Sequence, residues 1–221
     1  MEVVVNAATS VDGKLSTRDR VQVPISGPED FDRVDRLRAA ADGVMVGVGT
    51  VLADDPHLTV DEEPRRVSRL QNGRPANPAR VVADSRARTP PDARILDAAA
   101  TTYVLVSESA PDERTSSLAD AGAELVVAGD ARVDLSESLA ELDARGVDRL
   151  MVEGGGELIF SLFEDGLVDE LSVFVGSVVV GGREAPTLAD GEGFADPDEF
   201  PRLTLTSVER LDDGVVLSYS A

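Results

Sequence analysis

The order of elements legible in the chain predicts an α/β fold, a mixed sheet flanked by helices. Three observations carry this. Runs such as GVMVG at Gly43–Gly47 are apolar on both faces and too short for a helix, as expected of a buried parallel strand. Strand-like and helix-like segments then alternate along most of the chain. The final two strand-like runs are separated by Asp212-Asp213-Gly214, a hairpin signal.

Taken in order, Glu2–Ala8 reads as a first strand ending near Asn6, and Asp12-Gly13 as a turn that offers Lys14 from a mobile loop. Ser26 is placed to N-cap a helix running to about Ala41, with Pro28 in its first turn and Glu29 in the capping-box position. Phe31, Val34, Leu37 and Ala41 define its apolar face, and Arg33 falls among its surface charges. The strand at Gly43–Gly47 leads through Gly49 and Thr50 into a short apolar turn closed by Asp54-Asp55-Pro56. Residues 61–78 are polar, rich in Pro, Asn and Arg, and lack periodicity; they predict a long loop inside a single domain spanning 1–221. Strands follow at 79–83, 101–106 and 124–128, with helices at 114–121 and 135–144. A strand at 147–152 runs into Glu153-Gly154-Gly155-Gly156-Glu157 ahead of a helical run at 158–163. The chain closes with strands at 171–180, 203–207 and 215–219.

Composition narrows the function. Cysteine is absent, which excludes disulfides, thiolate catalysis and zinc–thiolate sites. The 42 acidic residues against 21 cations give a net charge of -21, and Lys14 is the only lysine. An acidic, lysine-poor chain with an ordinary core resembles proteins of salt-in halophiles, where molar salt shortens the Debye length to about 3 Å. No basic stripe exists to release counterions, so nucleic acid is not an expected partner. No run suits a membrane span and the N-terminus lacks a basic leader, so a cytoplasmic protein is expected.

Both glycine-bearing segments, Gly47–Thr50 and Gly154–Gly156, stand between a strand and a helical run, where bare backbone N–H groups suit a pyrophosphate. Neither is GxGxxG, so a standard Rossmann site is not supported. His57 is the only histidine and reads as a surface residue; no metal site is expected.

Several motifs in sequence order, NAATSVDGKL, SGPED, LRAAAD, VGVGTVLADDPHLT, RVVADS, VEGGGEL, GLVDEL and GGREAPTL, resemble the riboflavin-biosynthesis reductases. The resemblance runs from about Val3 to Tyr219 and includes no zinc-deaminase motif, so the stand-alone form is the one resembled. It implies a dihydrofolate-reductase-like fold: a mixed, mainly parallel sheet flanked by helices, with a C-terminal antiparallel hairpin, in a homodimer. The implied reaction is NADPH- or NADH-dependent reduction of 2,5-diamino-6-ribosylamino-4(3H)-pyrimidinone 5′-phosphate to its ribitylamino product. A pterin or folate reductase of the same fold and a non-catalytic nucleotide-binding protein stand as alternatives.

Position by position, the resemblance places Thr50, Asp54, Asp84, Ser85, Arg86, Ala87, Val133, Gly154, Gly155, Gly156 and Glu157 at the cofactor. It places Asn6, Lys14, Arg38, Leu58 and Glu153 at the substrate. No general acid is assigned. Arg86 or Arg88 suits a 2′-phosphate, and either reads equally as a surface charge. Where bacterial relatives carry a phosphate-binding arginine the chain has Asp61, leaving Arg65, Arg66 and Arg69 as the candidates to replace it. The strand at 171–180 is the candidate dimer surface.

Overall fold

Runs of β-branched residues set the sheet. A computed structural model describes residues 1–221 and contains nine strands in the order β5-β4-β3-β2-β6-β1-β7-β9-β8. The strands are β1 (Glu2–Ser10), β2 (Gly43–Gly47), β3 (Ala79–Ala83), β4 (Thr102–Val106), β5 (Glu124–Val127), β6 (Arg149–Gly154), β7 (Glu170–Gly176), β8 (Thr204–Leu211) and β9 (Gly214–Ser220). The helices are α1 (Pro28–Ala40), α2 (Val48–Asp54), α3 (Glu63–Gln71), α4 (Asp112–Asp120), α5 (Leu135–Ala144) and α6 (Gly156–Glu164). The expected mixed, mainly parallel sheet with a C-terminal antiparallel hairpin is present. The chain forms two compact units, one of Met1 with Asp35–Met151, the other of Glu2–Val34 with Val152–Ala221.

In the first unit, β2, β3, β4 and β5 pair in parallel, and β2 and β4 are buried along almost their whole length. Val44, Met45, Val81, Val82, Val104 and Leu105 are essentially sealed, which is why these runs lack polar alternation. The predicted loop at 61–78 contains α3. Its helical period was hidden because α3 is fastened by arginine, not by an apolar stripe: Val67 and Leu70 face solvent. Arg65 Nη1 reaches Asp35 at 2.6 Å, and Arg69, 4% exposed, donates to the carbonyls of Ala39, Ala41 and Pro75. Burial lowers Arg69 to a pKa of about 10, Arg74 adding to the effect and Asp42 opposing it.

In the second unit, β1 pairs in parallel with β7 in the register Asn6↔Ser172, and β9 joins β7 to β8 in antiparallel fashion. β1 extends beyond the expected end at Asn6 because Thr9 and Ser10 stay in register with Val175 and Gly176. The strand expected at 171–180 ends at Gly176, and β7 is interior, between β1 and β9. It therefore does not provide the exposed sheet surface expected of it; that position belongs to β8, exposed over nearly its whole length.

The start of α1 corrects a second expectation. Ser26 does not cap it. The Asp212 carboxylate in the β8–β9 turn accepts the backbone N–H groups of Gly27, Glu29 and Asp30, while Glu29 returns a bond to the Asp212 N–H. A Cβ on Gly27 would lie 2.6 Å from that carboxylate, so a larger residue there would displace it. Of the expected apolar face, Ala41 is buried and Val34 and Leu37 are half-buried, but Phe31 is 62% exposed, and the residues of α1 that are fully buried are Asp30 and Asp35.

Candidate functional site

In the first unit, β2 ends at Gly47 and α2 begins directly after it. Thr50 and Asp54 lie one turn apart on α2, half-buried, and their side chains bond to no protein group. Asp55 (φ 42°) and Leu58 (φ 50°) then adopt left-handed backbone, uncommon for residues with a Cβ. Asp55 is held by Arg94, whose Nε donates to its carbonyl at 2.7 Å and whose N–H donates to its carboxylate at 2.8 Å. Leu58 is buried, and Arg38 donates to the carbonyl of Thr59 at 3.2 Å. His57 is half-exposed with Nδ1 3.5 Å from Asp97, in keeping with a surface role.

The segment after β3 gathers four of the predicted residues. Asp84 is buried and closes its own turn, its Oδ2 accepting the N–H and hydroxyl of Thr89 at 2.7 and 2.8 Å. Ala87 has φ 50°, a third left-handed residue among these loops. Ser85 Oγ accepts the N–H of Val133 at 3.0 Å, which brings those two sequence-distant residues together. Arg86 is exposed and its guanidinium bonds to no protein group, while Arg88 stands 3.8 Å from Asp84.

The arginines considered as replacements at Asp61 are committed elsewhere. Asp35 accepts the N–H groups of Asp61 and Glu62 together with Arg65; Arg66 donates to the carbonyls of Val60 and Asp61; Arg69 is buried on the three carbonyls named above. Each fastens the 61–75 segment.

In the second unit, β6 ends at Gly154, after Glu153, and Gly155 (φ 99°) turns the chain into α6. That angle favours glycine. Gly156 needs its small size for another reason: a Cβ would meet Asp190 Oδ2 at 2.5 Å and the Thr187 carbonyl at 2.7 Å. The backbone at this helix start is therefore packed against the chain's own 187–190 turn, with Asp190 N–H donating to Gly156. Glu157 is exposed.

Lys14 borders the same stretch. It pairs as a β-bridge with Thr187, and Nζ donates to the Ala185 carbonyl at 3.1 Å. No carboxylate neutralises it. Its loop is fastened, not mobile: Asp12 accepts Ser10 Oγ at 2.6 Å and the N–H groups of Val180 and Gly181 at 3.0 and 2.7 Å. The Ser10 hydroxyl, then those amides, hold the Asp12 carboxyl down at about 2.

Asn6 is 5% exposed on β1 and accepts a bond from Arg33. Arg33 was legible only as a surface charge; it is a nearly buried member of a cluster with Asp30, Asn6 and Ser172. Asp30 three residues ahead of it on the helix was the available signal.

A mainly parallel sheet with glycine turns at its strand ends and left-handed residues in its loops places the chain in the α/β class, where such loops commonly carry ligand sites. A pyrimidine reductase-like protein of Corynebacterium diphtheriae shares the fold at a TM-score of 0.84 and 23% identity, over 99% of this chain and 91% of that one. Acinetobacter baumannii RibD matches at a TM-score of 0.78 and 25% identity, over 99% of this chain and 57% of its own. The chain belongs to the RibD C-terminal domain family, whose model matches residues 1–217. The 2,5-diamino-6-ribosylamino-4(3H)-pyrimidinone 5′-phosphate reductase of Archaeoglobus fulgidus is 47% identical over 98% of this chain and 96% of its own. The protein of that name from Methanothermobacter thermautotrophicus is 46% identical over 99% and 97%.

Proposed function

We propose that the protein reduces 2,5-diamino-6-ribosylamino-4(3H)-pyrimidinone 5′-phosphate to its ribitylamino product with a nicotinamide cofactor. The observation that carries the reading is near-complete coverage at 47% identity of a relative bearing that reductase's name. The match over residues 1–217 supports treating both units as one reductase domain.

The donor and acceptor set fits the cofactor class. Thr50 and Asp54 have unengaged side chains suited to ribose hydroxyls, and Ser85 with Ala87 and Val133 forms a polar turn beside the unpaired cation Arg86. Asp84 builds that turn, and Gly154, Gly155, Gly156 and Glu157 are the second set of proposed contacts. The nicotinamide supplies hydride; the protein's task is to bind, orient and exclude water. On the substrate side, Lys14 and Arg38 bring positive charge to a phosphate monoester in a chain of net charge -21. Leu58 offers an apolar contact, and Asn6 and Glu153 hydrogen-bonding groups.

Arg86 favours NADPH over NADH, since a 2′-phosphate gains from a cation that no carboxylate neutralises. A homodimer is supported by β8, whose exposed Leu205 and Val208 make an open sheet edge that pairing with a second copy would cover. Charge and lysine depletion support operation in concentrated salt, and reliance on the cell's nicotinamide pool supports a cytoplasmic setting. Mixing protein, NADPH and the substrate in high-salt buffer should bleach the nicotinamide absorbance band. No oxidation with NADPH or NADH removes the reading; oxidation with dihydrofolate in place of the substrate would replace it.

A further inference from the structure

We infer that Arg33 is a positioning residue that locks the Asn6 carboxamide so that it can only donate hydrogen bonds to the substrate. The inference deepens the reductase reading and rests on it. Arg33 Nη2 donates to Asn6 Oδ1 at 2.9 Å. A carboxamide is nearly symmetric in shape, so its neighbours decide which end faces where. A flipped Asn6 would turn its NH2 group onto a guanidinium, donor against donor, with no bond formed. The flipped form is therefore disfavoured as long as Arg33 stays in place.

Arg33 is held from two further directions. Its Nε donates to Asp30 at 2.8 Å and its Nη1 to Ser172 Oγ at 2.9 Å, and Ser172 is the strand partner of Asn6. The Arg33 side chain is 11% exposed and that of Asp30 only 2%. Because Asp30 neutralises Arg33, the cluster presents no net cation. What it presents is the other end of the amide.

Asn6 Nδ2 donates to no protein group, yet it is not sealed from solvent, in a residue only 5% exposed. A nearly buried amide with one end satisfied and two donors left over is suited to a ligand's acceptor oxygen, whether carbonyl, hydroxyl or phosphate. The position thus selects for an acceptor and against a substrate amino group.

Two substitutions test this against wild type. Arg33→Met frees the amide to rotate and should raise the substrate KM about tenfold, the scale of a mispaired buried polar group. The cofactor KM should stay unchanged, and Arg33→Lys, which can still donate to Asn6 Oδ1, should restore most of the loss. Asn6→Asp keeps an acceptor for Arg33 but replaces the Nδ2 donors with a second carboxylate oxygen, so the substrate KM should rise while the cofactor KM stays unchanged. A normal substrate KM in either Arg33→Met or Asn6→Asp overturns the inference, as does a parallel rise in both KM values without rescue by lysine. An inactive wild type removes the reductase reading and this inference with it; an active wild type with unaffected variants removes the inference alone.

Discussion

Asp35→Asn should destabilise the protein strongly although the substitution is nearly isosteric. Asp35 is 4% exposed and ties α1 to the start of α3 by accepting the N–H groups of Asp61 and Glu62 and the Arg65 guanidinium. An asparagine keeps one acceptor oxygen but turns an NH2 group toward either a backbone donor or the guanidinium. Losing one side of a fully buried ion pair costs about 3–5 kcal/mol. Arg65 keeps 21% exposure and recovers some hydration, and one acceptor survives, so about 2–3 kcal/mol is expected. For a chain of this size that is a fall in Tm of about 4–12 °C.

The loss should also depend on pH. Burial works to raise the Asp35 carboxyl, but the Arg65 bond and the two backbone amides outweigh it and leave it below the ordinary value of 3.8. A depressed folded-state value means stabilisation present above 3.8 and lost as pH falls through the folded value. The gap between wild type and variant should be full at neutral pH and close under acid. Urea unfolding followed by far-ultraviolet circular dichroism measures it, since the chain has no tryptophan. A loss below about 0.5 kcal/mol, the scale of an ordinary surface change, or a gap indifferent to pH, would refute the role assigned to Asp35.

Asp212→Ala should cost about 1–2 kcal/mol in the same unfolding assay, since it removes the anionic cap of α1. Acidification from 3.8 through about 2 should protonate Asp12 and speed amide hydrogen exchange at Val180 and Gly181; Asp12→Asn should show the faster exchange already at neutral pH. Arg86→Gln should raise the KM for NADPH and leave that for NADH unchanged, and equal changes would show that Arg86 does not meet the 2′-phosphate. Raising KCl toward molar levels should raise the thermal midpoint, because a net charge of -21 repels itself less when screened; a flat or falling midpoint would count against salt adaptation.

The parts of this fold that were legible are those made by apolar burial. GVMVG and RVVA are strands because both faces are covered, and burial on both faces leaves a pattern that can be read without knowing the neighbours. What could not be read is held by charge across distance in sequence. Arg80 is fully buried and fastens the Arg94–Asp97 turn through three carbonyls and a carboxylate, yet an arginine in a strand looks like a solvent-facing residue. α3 was missed for the same reason, and the cap of α1 because its carboxylate arrives from a turn more than 180 positions later. The residues proposed for the site were named by resemblance; the sequence could not show that Thr50 and Asp54 are unengaged, that Ser85 bonds Val133, or that Gly156 is packed by its own chain.

Charge balance gives the proposed substrate side an argument independent of resemblance. With 42 acidic residues against 21 cations, a cation can find a carboxylate almost anywhere. Arg33, Arg65, Arg74, Arg80, Arg94 and Arg145 each do so. Exposed cations such as Arg20 and Arg202 remain unpaired, but water satisfies them and an ion pair there would contribute little. Lys14 differs on both counts. It is half-buried, so water compensates it less, and its ammonium donates only to a carbonyl. Its loop is also fixed by Asp12, whose oxygens accept from Ser10, Val180 and Gly181 and form no ion pair with Lys14. A carboxylate two residues from Lys14 could have paired with it, yet it holds the loop instead. An immobilised, unneutralised, partly dehydrated cation in an excess of acid favours an incoming anion over solvent, which is the property a phosphate-bearing substrate requires.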